Sequence, residues 1–242
     1  MIRHFVSSAF INFIRSPAST LANILALALG LACFLGAYGA SVYWRSGDSY
    51  QPDAARIYVA GSRLEMEAGG PALGAGFDQL GLQSTSTLAR HLRQDIPQLE
   101  KIARGSLSTE AAVSVGNRKQ TLYSAFVDPE FLDIFNLDFV SGEARQALAR
   151  PDGIILTQSA AQRLFGTRPA LGEQILVDNT WNGVVTGVIK PIRQPSFMSD
   201  GQDAVVRFDM LAAWTADPAR AAAERRDTWM QLDAYTFVVL PP

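Results

Sequence analysis

The residue types that most often carry out chemistry in proteins are scarce in this chain. Its two histidines, His4 and His91, lie far apart in sequence, and its one cysteine, Cys33, lies inside an apolar run. A nucleophilic triad needs an imidazole beside the nucleophile, and a zinc site needs several His or Cys ligands together. His91 falls beside two leucines of a predicted helix, as residues on a helix surface do. The sequence therefore predicts neither a catalytic triad nor a metal site.

One group of carboxylates has a spacing that acid–base chemistry could use. Asp128, Glu130 and Asp133 are close in sequence. An Asp directly before a proline, here Pro129, is typical of the residue that caps a helix N-terminus, and Glu130 would then lie near the positive helix end. We expect Asp128 to cap a helix and the other two carboxylates to face solvent. An anchored carboxylate hydrolase is an alternative that would need two of them to converge in a cleft.

Glycines and tryptophans complete the search for a site. The glycine-rich loop at residues 69–76 lacks the strand-to-helix context of a nucleotide loop, and the GxxxxGK[ST] pattern is absent. Trp181, Trp214 and Trp229 could line a sugar or lipid surface, but scattered tryptophans are more often part of a core. We therefore expect no enzyme activity and no cofactor, and we expect that this chain does not handle ATP.

A long apolar run organises the rest of the sequence. It begins at Leu21, ends at Tyr43 and reads LANILALALGLACFLGAYGASVY, with no charged residue between Arg15 and Arg45. At about 1.5 Å per residue it forms a helix of roughly 34 Å, enough to cross a hydrocarbon layer of about 30 Å. Its length and late start favour a retained membrane span over a cleaved signal peptide or a buried core helix. Small residues such as Gly30 and Gly36 would allow close packing in the membrane, although spans tolerate glycine generally.

The flanks of this span predict its orientation. Residues 1–20 carry Arg3 and Arg15 and no acidic residue, so the positive-inside rule places the N-terminus in the cytoplasm and the rest of the chain outside it. Apolar residues recur at three- and four-residue steps within residues 2–14, which predicts an amphipathic helix on the inner membrane surface. Pro17 then starts a new helix, although one long continuous helix is the alternative.

The composition of the exported part limits its partners. The chain has 21 basic and 23 acidic residues, and three of the basic but none of the acidic ones fall in residues 1–45, which leaves the remainder a net charge of −5. No nucleic-acid partner is indicated. The exported part has no cysteine and therefore forms no internal disulfide.

Strands outnumber helices in the exported part. Strands are predicted at residues 57–59, 99–105, 111–115, 120–127, 154–156, 174–177, 184–189 and 234–240, and helices at residues 84–98, 128–135 and 157–165. Several strands are joined by short turns, such as Gly116–Asn117. The predicted fold class is α+β: an N-terminal transmembrane helix followed by a mixed α/β domain.

Local signals define the ends and buried faces of the helices. Ser84 or Ser86 is expected to cap the first helix, Thr157 to cap the third, and Gly166 to end it. The buried face of the first helix is predicted to consist of Leu88, Leu92 and Ile96. The second helix is predicted to pack Phe131, Ile134 and Phe135 against the sheet.

Five stretches in order complete the pattern: VDPEFLDIFNLDFVSGEA at residues 127–144, IILTQSAAQRLFG at 154–166, LGEQILVD at 171–178, WNGVVTGVI at 181–189 and YTFVVL at 235–240. Preceded by a span, this order resembles the MacB-like periplasmic core domain of ABC transporter permeases of the MacB/FtsX type. The resemblance divides the chain into a cytoplasmic elbow (1–20), a transmembrane helix (21–44) and a periplasmic core domain (45–242). Its structural motif residues here are Asp128, Pro129, Phe131, Phe135, Leu164, Phe165, Gly166 and Gly172.

The resemblance also implies a function. It implies a periplasmic part of two α/β subdomains, a location in the inner membrane in contact with lipid, and two protein partners, a separate ABC ATPase subunit and a second permease subunit. Such permeases move or extract substrates mechanically, so the chain is expected to couple an ATPase to substrate or partner handling in a transport or mechanotransmission complex. The sequence does not indicate which substrate is handled.

One departure from the family leaves an alternative open. The family has three later spans, and no further apolar run follows in this sequence up to Pro242. We therefore expect a truncated product, a fragment whose other half is a separate chain, or a piece of a longer reading frame. The alternative function is a single-pass membrane-anchored periplasmic binding or sensory domain without transporter activity.

Overall fold

The computed structural model describes residues 17–62, 81–199, 206–223, 229 and 232–242. The predictions for the amphipathic helix at residues 2–14 and for the glycine-rich loop at residues 69–76 lie outside these ranges. The chain divides into a helical unit that ends at Gly47 and a larger unit, Asp48–Pro242.

The apolar run forms one helix, α1 (Pro17–Arg45). It is longer than the predicted span because Pro17 is the first helical residue and the helix continues to the first charged residue, Arg45. It is the one helix in the described part of the chain that is long and apolar enough to cross a membrane, as judged by length and composition. None of its residues is buried by other parts of the protein. The rings of Tyr43 and Trp44 meet edge to face at its end, with centroids 5.7 Å apart.

The larger unit mixes helices and strands, as the sequence predicts. After a 3₁₀ turn (Ala54–Arg56), its strands are β1 (Ile57–Ala60), β2 (Lys101–Ser106), β3 (Thr109–Val115), β4 (Arg118–Val127), β5 (Phe139–Gly142), β6 (Gly153–Thr157), β7 (Gln174–Val177), β8 (Trp181–Ile189), β9 (Met198–Ser199), β10 (Val206–Arg207), β11 (Met210–Ala213) and β12 (Ala234–Val239). Its helices are α2 (Thr87–Asp95), α3 (Phe131–Ile134), α4 (Ala144–Ala147), α5 (Gln158–Phe165) and α6 (Pro218–Ala223). The predicted α+β class is confirmed.

Most of the strands join one sheet that closes on itself. The sheet order is β1-β12-β2-β4-β11-β6-β8-β7-β3, and β3 also pairs with β4. The strands β4, β11, β6, β8, β7 and β3 therefore form a closed ring, in which every neighbouring pair is hydrogen-bonded. The strands β2, β12 and β1 extend from this ring as an open flap. β5 pairs with β8, and β9 and β10 form a separate two-stranded parallel pair.

Two large hydrophobic cores lie on the two faces of the sheet. The first contains Phe131 of α3, Phe135 directly after it and Phe237 of β12, and the second contains Leu122, Ile154, Trp181 and Met210. Alternate residues of β6 belong to different cores, with Ile155 in the first and Ile154 and Leu156 in the second. This explains the continuous apolar run of β6, because a strand covered on both faces needs no polar side.

Several local predictions are confirmed. The Thr157 hydroxyl accepts a hydrogen bond from the Ala160 N–H at 3.2 Å and caps α5. Gly166 follows that helix with φ of 66°, which an L side chain rarely adopts. Gly116 has φ of 54° in the turn between β3 and β4. Phe131, Ile134 and Phe135 are all buried, as predicted.

The prediction for the first helix of the larger unit is partly wrong. The helix α2 begins at Thr87 and not at residue 84, because Ser84 exchanges backbone hydrogen bonds with Ala234 at 2.7 and 3.0 Å and so extends the sheet. Ser86 forms no side-chain cap. The buried residues of this helix are Thr87 and Ala89, whereas Ile96 is 42% exposed.

The predicted cap at Asp128 is also wrong. α3 begins at Phe131, its N-cap position is Glu130, and no side chain caps it. The Asp128 carboxylate is instead buried, with 4% of the residue exposed, and binds the guanidinium of Arg104 through two bonds of 2.8 and 3.0 Å. It also accepts the Arg104 backbone N–H at 3.0 Å and a bond from Arg93 at 3.1 Å. A buried guanidinium without an anion costs more free energy than a one-turn helix without a cap, so the Asp128 carboxylate binds Arg104 and does not cap α3.

We expect the substitution Asp128→Ala to lower the free energy of unfolding by about 3–5 kcal/mol, because it leaves the Arg104 guanidinium buried without its carboxylate. The measurement is urea unfolding of the full chain in detergent, followed by tryptophan fluorescence. The matched control is Asp152→Ala, which removes an exposed ion pair with Arg150 and should cost at most about 1 kcal/mol. Equal losses of unfolding free energy for the two variants would contradict the role of Asp128 as the counter-charge of buried Arg104.

We expect Thr157→Ala to lower the free energy of unfolding by about 1–2 kcal/mol, because the first turn of α5 then loses the acceptor for the Ala160 N–H. The same unfolding measurement applies. Thr167→Ala makes the same chemical change at an exposed position after the helix and should change stability by less than about 0.5 kcal/mol. A loss at Thr167 as large as that at Thr157 would show that the cap does not contribute.

Candidate interaction surface

The three predicted carboxylates do not form one site. The Asp128 carboxylate is buried against Arg104 and Arg93, whereas Glu130 and Asp133 are exposed. The Arg93 guanidinium lies 4.0 Å from the Glu130 carboxylate, which makes Arg93 the link between the buried pair and the surface. The exposed carboxylates are thus surface groups beside an ion-pair network.

Two grooves flank α3 and share three charged residues. The larger groove, of about 820 Å³, lies between residues 52–53, α3 and α4, and the other, of about 550 Å³, lies between the end of α2 and the start of β2. Both are lined by Lys101, Glu130 and Asp133. Charges of both signs therefore line this surface, and neither an anion nor a cation is favoured as its ligand.

The tryptophans and the histidine considered in the sequence analysis do not come together in one site. Trp181 and Trp214 are buried, as expected of core tryptophans, whereas Trp229 is 50% exposed and lies against the ring of half-buried His91, with centroids 5.0 Å apart. Trp214 is stacked against the guanidinium of Arg104 at 4.4 Å. In the parts of the chain that the structure describes, no group of three or more His, Cys, Asp or Glu residues could hold a metal ion.

The first strand of the larger unit begins beside the end of its last strand. β1 pairs antiparallel with β12, so that Ile57 near the start of the unit lies opposite Val239 near its end. The Leu240 N–H donates to the Arg56 carbonyl at 3.1 Å, and the Glu100 N–H donates to the Val239 carbonyl at 3.0 Å. The entering segment, which leads into the sheet at β1, and the leaving segment, which follows β12, therefore lie side by side, next to the start of β2.

Side chains reinforce this meeting point, which we name the entry–exit joint: Asp53, Arg56, Glu100, Lys101 and Leu240. The Arg56 guanidinium donates to Glu100 at 2.6 Å, to the Leu240 carbonyl at 2.9 Å and to Asp53. The Lys101 ammonium donates to Asp53 at 3.3 Å. The hydrogen bond from Arg56, and to a smaller extent that from Lys101, holds the pKa of the Asp53 carboxyl below its usual value.

The first residue of the unit is tied down separately. The Asp48 carboxylate accepts hydrogen bonds from the Ser196 hydroxyl and from the Phe197 N–H at 2.9 Å, and the Asp48 N–H donates to the Pro195 carbonyl at 2.9 Å. Asp48 has φ of 58°, a left-handed conformation that costs free energy for a residue with a side chain and is held here by these bonds.

Sequence reasoning placed three residues of the entry–exit joint in predicted strands but gave none of the five a role in an ion pair or a contact. Two of the three partners of Arg56, Glu100 and Leu240, lie 44 and 184 residues away in the chain, and a single Asp, Arg, Glu or Lys has no pattern that marks it. The one signal was the prediction of strands at residues 57–59 and 234–240, but that these two strands pair was not predicted.

Comparison with known proteins supplies the family. A family model described as the MacB-like periplasmic core domain matches residues 20–241. No curated protein sequence matches the chain.

Solved structures with a similar fold include a domain assigned to a permease protein of Porphyromonas gingivalis, with 18% identity and a TM-score of 0.56 over 79% of this chain and 78% of that one. The periplasmic region of MacB from Actinobacillus actinomycetemcomitans has 12% identity and a TM-score of 0.45, over 68% of each chain. The extracellular domain of the noncanonical ABC-type transporter YknZ from Gram-positive bacteria has 12% identity and a TM-score of 0.46, over 66% of this chain and 74% of that one.

At this level of identity the similarity to the Porphyromonas domain shows the fold alone. The family model, in contrast, spans most of α1 and nearly all of the larger unit. Together with the apolar α1, this match describes a membrane-anchored protein with an extracytoplasmic domain. The chain belongs to the MacB-like periplasmic core domain family of ABC-type permeases.

Proposed function

We propose that the chain is a permease component of an ABC-type transport or mechanotransmission complex. In this proposal a separate ATPase subunit acts on the cytoplasmic side, and the larger unit handles a substrate or a partner on the other side. The chain itself catalyses no reaction. α1 contacts membrane lipid and packs against a second permease subunit.

The observation that carries this proposal is the pairing of the first and last strands of the larger unit. Val239 and Leu240 lie beside Arg56 and Ile57, so these two strands lie together at one edge of the sheet. In the family arrangement, spans precede and follow this domain, and a movement of those spans that reaches these two strands would act on that single edge.

The sheet supports the same function. From β1 the hydrogen-bonded order passes through β12 and β2 to the closed ring of six strands. A displacement at β1 and β12 is thereby applied to a continuous sheet and not to a loop. Asp128 is buried and bound to Arg104, whereas Glu130 and Asp133 are exposed, so these three carboxylates do not form a competing site.

We expect an ATPase subunit to copurify with the tagged full chain from native membranes in mild detergent, as measured by quantitative mass spectrometry. The control is an unrelated single-pass membrane protein with the same tag, purified in parallel. Recovery of the folded chain without an enriched ATPase subunit would contradict the proposal. A membrane-anchored binding domain would then be the better account.

The orientation of the chain in the membrane is tested by cysteine labelling. In a Cys33→Ala background, Ala149→Cys places one thiol at an exposed position of the larger unit, and Ser7→Cys places one before the span. Because of the basic residues Arg3 and Arg15, we expect a membrane-impermeant maleimide to label the first variant in intact spheroplasts and the second only after permeabilisation. The reverse result would overturn the cytoplasmic N-terminus.

A further inference from the structure

The entry–exit joint lies at the end of the β1–β12 ladder where separation would begin. In an antiparallel pair whose two free ends are on the same side, a force that parts the ends acts on the terminal hydrogen-bonded pair first. Here that pair is Arg56 and Leu240, whose backbone hydrogen bond of 3.1 Å lies directly before the Ile57–Val239 pair. The side chain of Arg56 binds the same Leu240 through its carbonyl.

Little else holds β1 to the sheet. It is a strand of four residues at one end of the sheet order, and β12 is the strand with which it pairs. Ile57 is half-buried and packs against the first core, but Tyr58 is 52% exposed and Val59 36% exposed, so the rest of the strand buries little apolar surface. β12, in contrast, pairs with β2 on its other side, over residues 234–239. If the joint opened, β1 would separate while β12 stayed in place.

We infer that the Arg56 side chain keeps the entering and leaving segments together, so that a movement of either segment reaches the sheet as one displacement and does not peel β1 from β12. This role as a force-transmitting joint rests on the proposed function for the source of the movement. The stabilisation of β1 by Arg56 does not depend on that function and is measured without it.

Arginine suits this position because one guanidinium presents five donors in a rigid plane. Arg56 uses them on acceptors from three segments: Asp53 before β1, Glu100 before β2, and the Leu240 carbonyl after β12. A lysine ammonium is a compact point charge and does not match this planar arrangement. Lys101 adds a further bond to Asp53 and one of 3.1 Å to the Asp133 carbonyl, which ties the joint to α3.

The experiment is hydrogen–deuterium exchange of the full chain in detergent micelles, read by mass spectrometry. In Arg56→Ala we expect the protection of amides in β1 to fall about tenfold, because several partly exposed contacts of modest strength are lost together. Protection of those β12 amides that donate to β2 should remain at the wild-type level because that pairing is kept. Protection within β6 and β8, inside the closed ring, should also remain.

The matched control is Arg150→Ala, which removes an exposed guanidinium that binds Asp152 through two bonds of 2.9 and 2.8 Å. It should leave the exchange of β1 unchanged. Arg56→Lys keeps the charge and should give an exchange rate between those of the wild type and Arg56→Ala. Wild-type protection of β1 in Arg56→Ala, or full protection in Arg56→Lys, would overturn the inference.

A loss of protection throughout the sheet in Arg56→Ala would indicate general unfolding. In that case the deciding variant is Glu100→Gln, because it keeps the size of this Arg56 partner and removes its charge. A selective increase in the exchange of β1 amides supports the inference, and no increase overturns it. The exchange measurement uses no ATPase, so its failure is distinguishable from a failure of the copurification experiment.

Discussion

A buried charge is the constraint on which much of this fold depends. The Arg104 guanidinium is almost fully buried, and Asp128 compensates its charge with a carboxylate that accepts four N–H bonds. Because a buried charge without a partner is strongly destabilising, these bonds place β2 beside the end of β4 and position α2 through Arg93 and the Ser86 carbonyl. Trp214 covers the guanidinium from the end of β11. One ion pair thus joins three strands and a helix.

The aromatic residues beside this pair join it to the end of the chain. Phe131 of α3 and Phe135 directly after that helix lie against each other with ring centroids 4.7 Å apart, and they contact Phe237 of β12 at 5.7 and 5.0 Å. A helix of four residues has no stability of its own, so α3 exists because these rings are buried. The same β12 ends at the entry–exit joint, so the first core and the joint are parts of one assembly.

The sequence predicted features whose cause is local and missed those whose cause lies far along the chain. Thr157, Gly116 and Gly166 act on their own neighbours, and their roles were predicted correctly. Ser84 was misassigned because its partner, Ala234, is distant in sequence. The strand β11 was missed because its sequence, MLAA, has neither alternation nor β-branched residues. It is a strand because β4 and β6 enclose it on both sides.

The closed ring also determines where the larger unit is stiff. A sheet that closes on itself has no edge from which a strand can be lost, so deformation of the six ring strands must break several pairings together. The open flap of β2, β12 and β1 lacks this protection, and its compliance increases toward β1. Low-frequency fluctuations of the unit should therefore be concentrated in the flap, while the ring moves with it as a nearly rigid mass. The first strand of the larger unit thus lies in the most deformable part of the sheet.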